Sequence, residues 1–406
     1  MPGPLTGVKV LEVGGYVTAP FATALMAQLG ADVIKVEEPA SGDPFRKWSS
    51  GDEFSPTFTG VNHNKRSVAL DLHDPAGFEA FLALLAGVDI LVDNLRSGAL
   101  DRRGLDDATS RRCNPRLIHC SITGFGDEGP YRERPGYDTI GQAMSGLLGL
   151  LTDLDDPRAM GTSLSDHVTG IMAVVGVLAA LHQRERTGVG VRVGTSLLEA
   201  SIAFLAESTG RFLATGVDPD REHRARLAQV YCLTATDGSP FVVHLSSPKK
   251  FWAGLVRAFE CEELAEDSRF AELDGRRRNH GALQRELQRR SAARTRDEWL
   301  ERLEAADVPC APINRLSEVF TDPQVEDLGL SVRHRSADGL TLPHGHVASP
   351  LRFDGERPRP DRSPPLLGEH SRAALRAAGL SEVAIRELLA RGTAREPGGA
   401  VSPRQH

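Results

Sequence analysis

A strand, a glycine turn, a helix and a second strand open this chain in that order. Val8 to Val13 is β-rich, Gly14-Gly15 interrupts it, Ala19 to Leu29 has helical character, Gly30 stops the helix, and Asp32 to Val36 is the next strand. Strands joined through a helix must lie parallel, with a right-handed crossover. The alternation continues. Gly77 to Leu85 reads as helix, Asp89 to Asp93 and Leu117 to Ile122 as strands, Ile171 to Leu181 as a buried helix and Val191 to Val193 as a strand. The first half is therefore expected to be α/β, with a parallel, Rossmann-like sheet.

The texture changes near residue 215. Val230 to Ala235 and Pro240 to Leu245 flank Thr236-Asp-Gly-Ser239, a hairpin turn signal, and charged helices follow from Lys249 to Ala306. Arg276-Arg-Arg278 reads as solvated helix surface. A last helix is expected over Ser371 to Ala390. At 406 residues two domains are the default. The expected division is a large α/β domain over 1–215 completed by 330–391, a smaller α+β domain over 225–325, and a disordered tail over 392–406.

Composition works by exclusion. A net charge of −7 argues against a general nucleic-acid binder, while leaving room for an anionic small ligand in a local basic pocket. The five cysteines are scattered, without a C-x-x-C pair or His-rich spacing, so no metal site is expected and all five read as reduced, small buried residues. No apolar run reaches the roughly 18 residues of a membrane span, which favours a soluble, cytoplasmic protein.

Asp166 is the residue whose setting carries most chemistry. It stands in Gly161-Thr-Ser-Leu-Ser-Asp166-His-Val-Thr-Gly170, just before the apolar stretch from Ile171. A carboxylate there is either a helix cap or a nucleophile at the edge of a pocket. Other segments offer partners. The Gly14-Gly15 turn lacks the G-x-G-x-x-G spacing of a dinucleotide site, although Glu37 and Glu38 sit where ribose ligands would. Asp93-Asn-Leu-Arg-Ser-Gly98 follows a strand, where open α/β sheets bind ligands; Arg96 with Arg102 could clamp phosphates, or Arg102 and Arg103 could instead cap a helix end or pair with Asp106 and Asp107. The glycine loop Thr123 to Pro130 could bind an anion or only turn the chain. Tyr137 and Asp138 begin a helix of small residues and could face the same cleft as Asp166, or merely pack and cap.

Taken in order, these stretches resemble the class III CoA-transferases, a family that also contains α-methylacyl-CoA racemases. The resemblance runs from Leu5-Thr-Gly-Val-Lys-Val-Leu-Glu to Pro364-Pro-Leu-Leu-Gly-Glu-His370. It is carried by Leu29-Gly-Ala-Asp-Val-Ile-Lys-Val-Glu37, Asn64-Lys-Arg-Ser67, Gly98-Ala-Leu-Asp-Arg102, Asn114-Pro-Arg-Leu117, Ser165-Asp-His-Val-Thr-Gly170 and Thr187-Gly-Val-Gly190. The resemblance implies that Asp166 is the catalytic aspartate, with Tyr137 and Asp138 beside it. It implies that Asn94 and Arg102 line the site for coenzyme A with Leu70 on the strand beside it, joining the Arg96 of the phosphate clamp, and that coenzyme A enters as a substrate rather than as a permanently bound cofactor. It also implies that two chains interlock as a homodimer, with the active site between subunits.

Two departures refine the expectation. Racemases of the family have a histidine where this chain has Tyr137, and His167 cannot replace it because adjacent helical residues point apart. A glycine-rich flap of formyl-CoA transferases has no equivalent between Leu205 and Lys250, which counts against formyl or oxalyl chemistry. The expected activity is transfer of CoA from an acyl-CoA to a carboxylic acid through covalent aspartyl intermediates. The alternatives are a racemase-like isomerase and a non-catalytic acyl-CoA-binding protein. Oxyanion donors are sought in the turns at Gly14-Gly15 and Gly124 to Gly126.

Overall fold

A computed structural model of the chain describes residues 3–48, 55–246, 248–335, 341–359 and 362–398. The chain forms two compact units, Met1–Thr209 with Gly329–His406, and Gly210–Leu328.

The first unit is built on a seven-stranded sheet. Its strands are β1 (Lys9–Val13), β2 (Asp32–Glu37), β3 (Lys65–Leu70), β4 (Ile90–Asp93), β5 (Ile118–Thr123), β6 (Arg192–Ser196) and the short terminal strand Ala394–Arg395. The spatial order after that terminal strand is β3-β2-β1-β4-β5-β6, all parallel. Such an order is the doubly wound arrangement, and its direction of winding reverses between β1 and β4. Both faces are covered, which is why the strands read as nearly continuous apolar runs. Along β1, Val10 faces the core that contains Met26, Ala173 and Val177, while Leu11 and Val13 face the core that contains Phe81, Leu85 and Leu375.

Several expectations shift. Ala394–Arg395 pairs antiparallel with Leu70 and Ala69 of β3, so the chain is ordered through the start of the segment expected to be disordered, and residues 399–406 lie outside the described residues. The helix expected over Ser371 to Ala390 is two helices, Ser371–Ala377 and Glu382–Ala390. Gly379 breaks it at a φ of +94°, a left-handed conformation that glycine adopts without steric cost. The long helix Leu164–Thr187 begins seven residues earlier than its apolar stretch suggested. It is also apolar enough to cross a membrane by length and composition, with a mean hydropathy of 1.7 over an 18-residue window, where none was expected. Its inner residues Ala173, Val177 and Ala180 are buried in the sheet's core, and Ile171, Met172, Val175 and Leu178 are exposed on the other side.

The second unit has its own core around Tyr231, Phe241, Leu255, Leu283 and Trp299. The hairpin Val230–Thr234 and Pro240–His244 forms as expected and is joined by Cys310–Pro312. Arg276 is not solvated. It is buried, stacks 4.6 Å from the Trp252 ring, and donates to the carbonyls of Phe270 and Ala271. The cysteines divide as well: Cys120 and Cys261 are buried but Cys232 is exposed.

Candidate active site

A cavity of about 400 Å³ opens at the carboxyl ends of the parallel strands, within the first unit. Val13, Glu37, Leu70, Asn94 and Thr123, which end or directly follow β1 to β5, all line it. That is where a doubly wound sheet offers open backbone at its reversal point.

The floor of the cavity is the turn after β1. Asn94, just beyond β4, clamps it by accepting from the Gly15 N–H at 3.2 Å and donating to the Gly15 carbonyl at 2.8 Å. A β-carbon on Gly14 would lie 2.0 Å from the Asn94 Oδ1, so only glycine fits. Tyr16 then takes a φ of 62°, a conformation that costs a bulky residue free energy and persists only when its surroundings impose it. Asp43 supplies part of that restraint by accepting from the Tyr16 N–H at 3.2 Å.

Beneath the turn lies a buried ionic network. Glu12 and Lys35 face each other across the β1–β2 register at 2.6 Å, Lys35 reaches Asp43 at 2.8 Å, and Lys65 reaches Glu12 at 2.8 Å. The Lys35 ammonium also donates to the Gly14 carbonyl at 2.9 Å. Burial opposes the charges of Glu12, Lys35 and Lys65, yet the two lysines hold Glu12 down to about 2. Desolvation dominates at Lys65 and pulls it down to about 8. Glu37, which sat where a ribose ligand would, instead pairs with Arg46 at 2.7 Å inside the protein.

Asp166 lines the cavity. It is the third residue of its helix rather than the cap, because the helix starts at Leu164. The capping is done for it: Asp138 Oδ1 accepts from the Asp166 N–H at 3.1 Å, and Asp138 Oδ2 accepts from Gln142 at 2.6 Å. The Asp166 carboxylate is thus left for other work, and Thr18 donates to its Oδ1 at 2.7 Å. Burial pushes this carboxyl up to about 6, against the lowering effect of the Thr18 hydroxyl. Tyr137 lines the same cavity, 61% exposed, with its ring 5.8 Å from that of Tyr16 in an edge-to-face contact. His167 turns away, its ring 4.6 Å from Phe21 and its Nδ1 2.6 Å from the Ser163 carbonyl.

The structure thus gathers Asp166, Tyr137, Asn94, Arg96 and Leu70 around one space. Asp138 is not on its wall and acts on the Asp166 backbone instead. Arg102 lies outside it, donating to the Ser97 carbonyl at 3.1 Å and lining an adjoining depression with His73, Arg96 and Arg103. Neither Arg102 nor Arg103 meets Asp106 or Asp107; Asp106 caps the helix Asp107–Cys113 by accepting from Thr109. Sequence reasoning missed Thr18, Tyr16, Arg103, Arg132 and Arg134, all on the cavity wall. Arg132 and Arg134 lie five and three residues before Tyr137, and that proximity was the available signal. Of the expected oxyanion donors, the Gly15 and Gly126 N–H groups are already spent on Asn94 and on Thr123 Oγ1.

Carboxylate, tyrosine and cationic wall occur together around one cavity, and the match to known proteins agrees. A family model described as CoA-transferase family III matches residues 5–371. The chain belongs to that family. Among curated relatives, the mouse succinyl-CoA:glutarate CoA-transferase is 34% identical over 96% of this chain and 90% of its own length. The acetyl-CoA:oxalate CoA-transferase of Acetobacter aceti is 34% identical over 92% of this chain and 95% of its own. A succinyl-CoA:mesaconate CoA-transferase of Haloarcula hispanica is 32% identical over 93% and 97%. Among solved structures, a CaiB/BaiF family protein from Brucella suis superposes with a TM-score of 0.82 at 34% identity, covering 93% of this chain and 99% of that one. This family III protein is therefore a CoA-transferase, with CoA thioesters as substrates.

Proposed function

We propose that this CoA-transferase works through Asp166 as a covalent nucleophile. The carrying observation is a carboxylate on the cavity wall that does not cap its helix, that forms no ion pair among the described residues, and that burial raises to about 6. Above that pH it is ionised yet less solvated, and so a better nucleophile than an ordinary surface aspartate. The carboxylate attacks the donor acyl-CoA carbonyl, expelling CoA thiolate and leaving a mixed anhydride. The thiolate attacks the aspartyl carbon and releases the donor acid, giving an aspartyl-CoA thioester. The acceptor carboxylate attacks that thioester, and the thiolate then takes the acceptor's acyl group from the second anhydride. One thioester is exchanged for another, so no external energy source is needed.

Asn94, Leu70, Arg96 and the adjoining Arg102 and Arg103 are the CoA side of the proposal, the cations being suited to phosphate oxygens. No permanently bound cofactor takes part. On the acceptor side the relatives above use glutarate, oxalate and mesaconate, all dicarboxylic acids. Arg132 and Arg134 line the cavity beside Tyr137, and they suit the second carboxylate of such an acid. A racemase reading lacks its acid–base partner, since a tyrosine, Tyr137, lines the cavity with Asp166 and His167 packs against Phe21.

A homodimer belongs to the same proposal. The exposed apolar side of the helix Leu164–Thr187 and the 61% exposure of Tyr137 favour a second chain closing over the site. A cytoplasmic location fits five free thiols. The test is to incubate the protein with succinyl-CoA and other acyl-CoAs and to measure mass additions on the Asp166 peptide, with hydroxylamine as trap. A trapped aspartyl adduct in wild type, absent in Asp166→Asn, is expected; full turnover by Asp166→Asn would end the proposal.

A further inference from the structure

Thr18 is the first residue of the helix Thr18–Gln28, is 5% exposed, and does not cap its own helix. Its hydroxyl has one proton, and that proton is committed to Asp166 Oδ1 at 2.7 Å, the length of a charge-assisted bond. Among the described residues no other side chain donates to this carboxylate. The approach that permits the bond is set one turn further along, at Gly170. A β-carbon there would lie 2.9 Å from the Phe21 ring and 3.1 Å from the Thr18 carbonyl, so only glycine lets the two helices come this close.

The two oxygens of Asp166 are therefore not equivalent. We propose that Thr18 fixes their roles: Oδ2 always attacks, and Oδ1 always stays on the protein as the oxygen that carries negative charge when the aspartyl carbon is attacked. The inference rests on the nucleophile assigned above and adds to it. Oδ2 forms the bond to the donor's acyl carbon and becomes the bridging oxygen of the anhydride. When thiolate attacks the aspartyl carbon, the electron pair of the C=O moves onto Oδ1, where the Thr18 O–H meets it, and the bridging oxygen leaves with the donor acid. The acceptor's oxygen takes the empty place in the next anhydride and remains there when thiolate removes the acceptor's acyl group. Each turnover thus replaces Oδ2 with an acceptor oxygen and leaves Oδ1 untouched. In the first step Thr18 acts by positioning, and in the second as an oxyanion donor.

The experiment supplies an acceptor acid labelled with heavy oxygen on both carboxylate positions, such as glutarate, together with succinyl-CoA. After many turnovers the Asp166 peptide is weighed. Wild type and Thr18→Ser are expected to hold one heavy oxygen at Asp166, because each keeps a hydroxyl on Oδ1. Thr18→Val, free to rotate its carboxylate, is expected to take up two and to turn over about 10- to 100-fold more slowly. Two labels in wild type would overturn the inference without the variant, and one label in Thr18→Val would overturn it as well. No label in wild type while product forms would instead remove Asp166 as nucleophile, a different failure with a different signature.

Discussion

If Asp166 must be ionised to attack, the pH dependence of kcat/KM reports its environment directly. Burial lifts the carboxyl to about 6, so at pH 7 roughly nine molecules in ten carry the charge and at pH 5 about one in ten does. The acid limb should fall about tenfold per pH unit below an inflection near 6, well above the ordinary aspartate value of 3.8. The same shift has a mirror in stability, and its sign is opposite to that of most carboxylates. Because the folded value lies above the unfolded one, the native state holds its proton between pH 4 and 6 and is relatively penalised once ionised. A shift of about two units is worth ~3 kcal/mol at full weight. Solvent reaching this half-buried carboxylate leaves about 1–2 kcal/mol. Asp166→Asn should therefore be inactive, yet resist urea better than wild type by about that much at pH 8, with the gain fading as pH drops through 6 toward 4. Initial rates with saturating acceptor and equilibrium unfolding at matched ionic strength measure both. An acid limb near pH 4, or an Asn variant no more stable at pH 8 than at pH 4, would refute the claim that burial rather than an ion pair sets this carboxylate.

Four further outcomes follow from the geometry of the cavity and of the ionic network beneath it. Gly14→Ala puts a carbon 2.0 Å from Asn94 Oδ1, so the clamp on Gly15 must open; CoA affinity measured by calorimetry should fall by about tenfold or more with the fold retained by circular dichroism. Arg103→Ala should raise KM for every CoA ester alike, about 10- to 100-fold, whereas Arg134→Ala should raise KM for dicarboxylic acceptors and spare monocarboxylic ones. Glu12→Gln leaves the Lys65 ammonium without its carboxylate partner at 2.8 Å, and urea titration should show a loss of about 3–5 kcal/mol.

Legibility of the sequence tracked locality. The βαβ opening, the hairpin over Val230 to His244 and the parallel sheet were readable because period, glycine breaks and β-branched runs are local signals. Asp166 was readable as a carboxylate at a helix start, but its role depended on Asp138, 28 residues away, taking over the capping. Arg276 looked solvated because a run of three arginines says nothing of Trp252, which lies far off in sequence and covers it. Thr18 was invisible for the same reason: its partner is 148 residues distant, and only the close approach at Gly170 brings the two together.

The buried charges beneath the cavity make sense only when joined to the strain above them. Glu12, Lys35, Lys65 and Asp43 form a network with no net charge, and apolar residues of similar volume could fill its space without the desolvation cost. Apolar residues could not, however, hold a backbone. Lys35 fastens the Gly14 carbonyl and Asp43 the Tyr16 N–H, and between these points the chain passes through the left-handed turn that sets Tyr16 against Tyr137. Thr18 follows two residues later and holds Asp166. The ionic network is thus a rigid base for a strained turn, and that turn delivers both an aromatic wall and the hydroxyl that orients the carboxylate. Its worth lies in geometry more than in stability, and the cavity gains a fixed floor on which a long thioester substrate can meet a single oxygen.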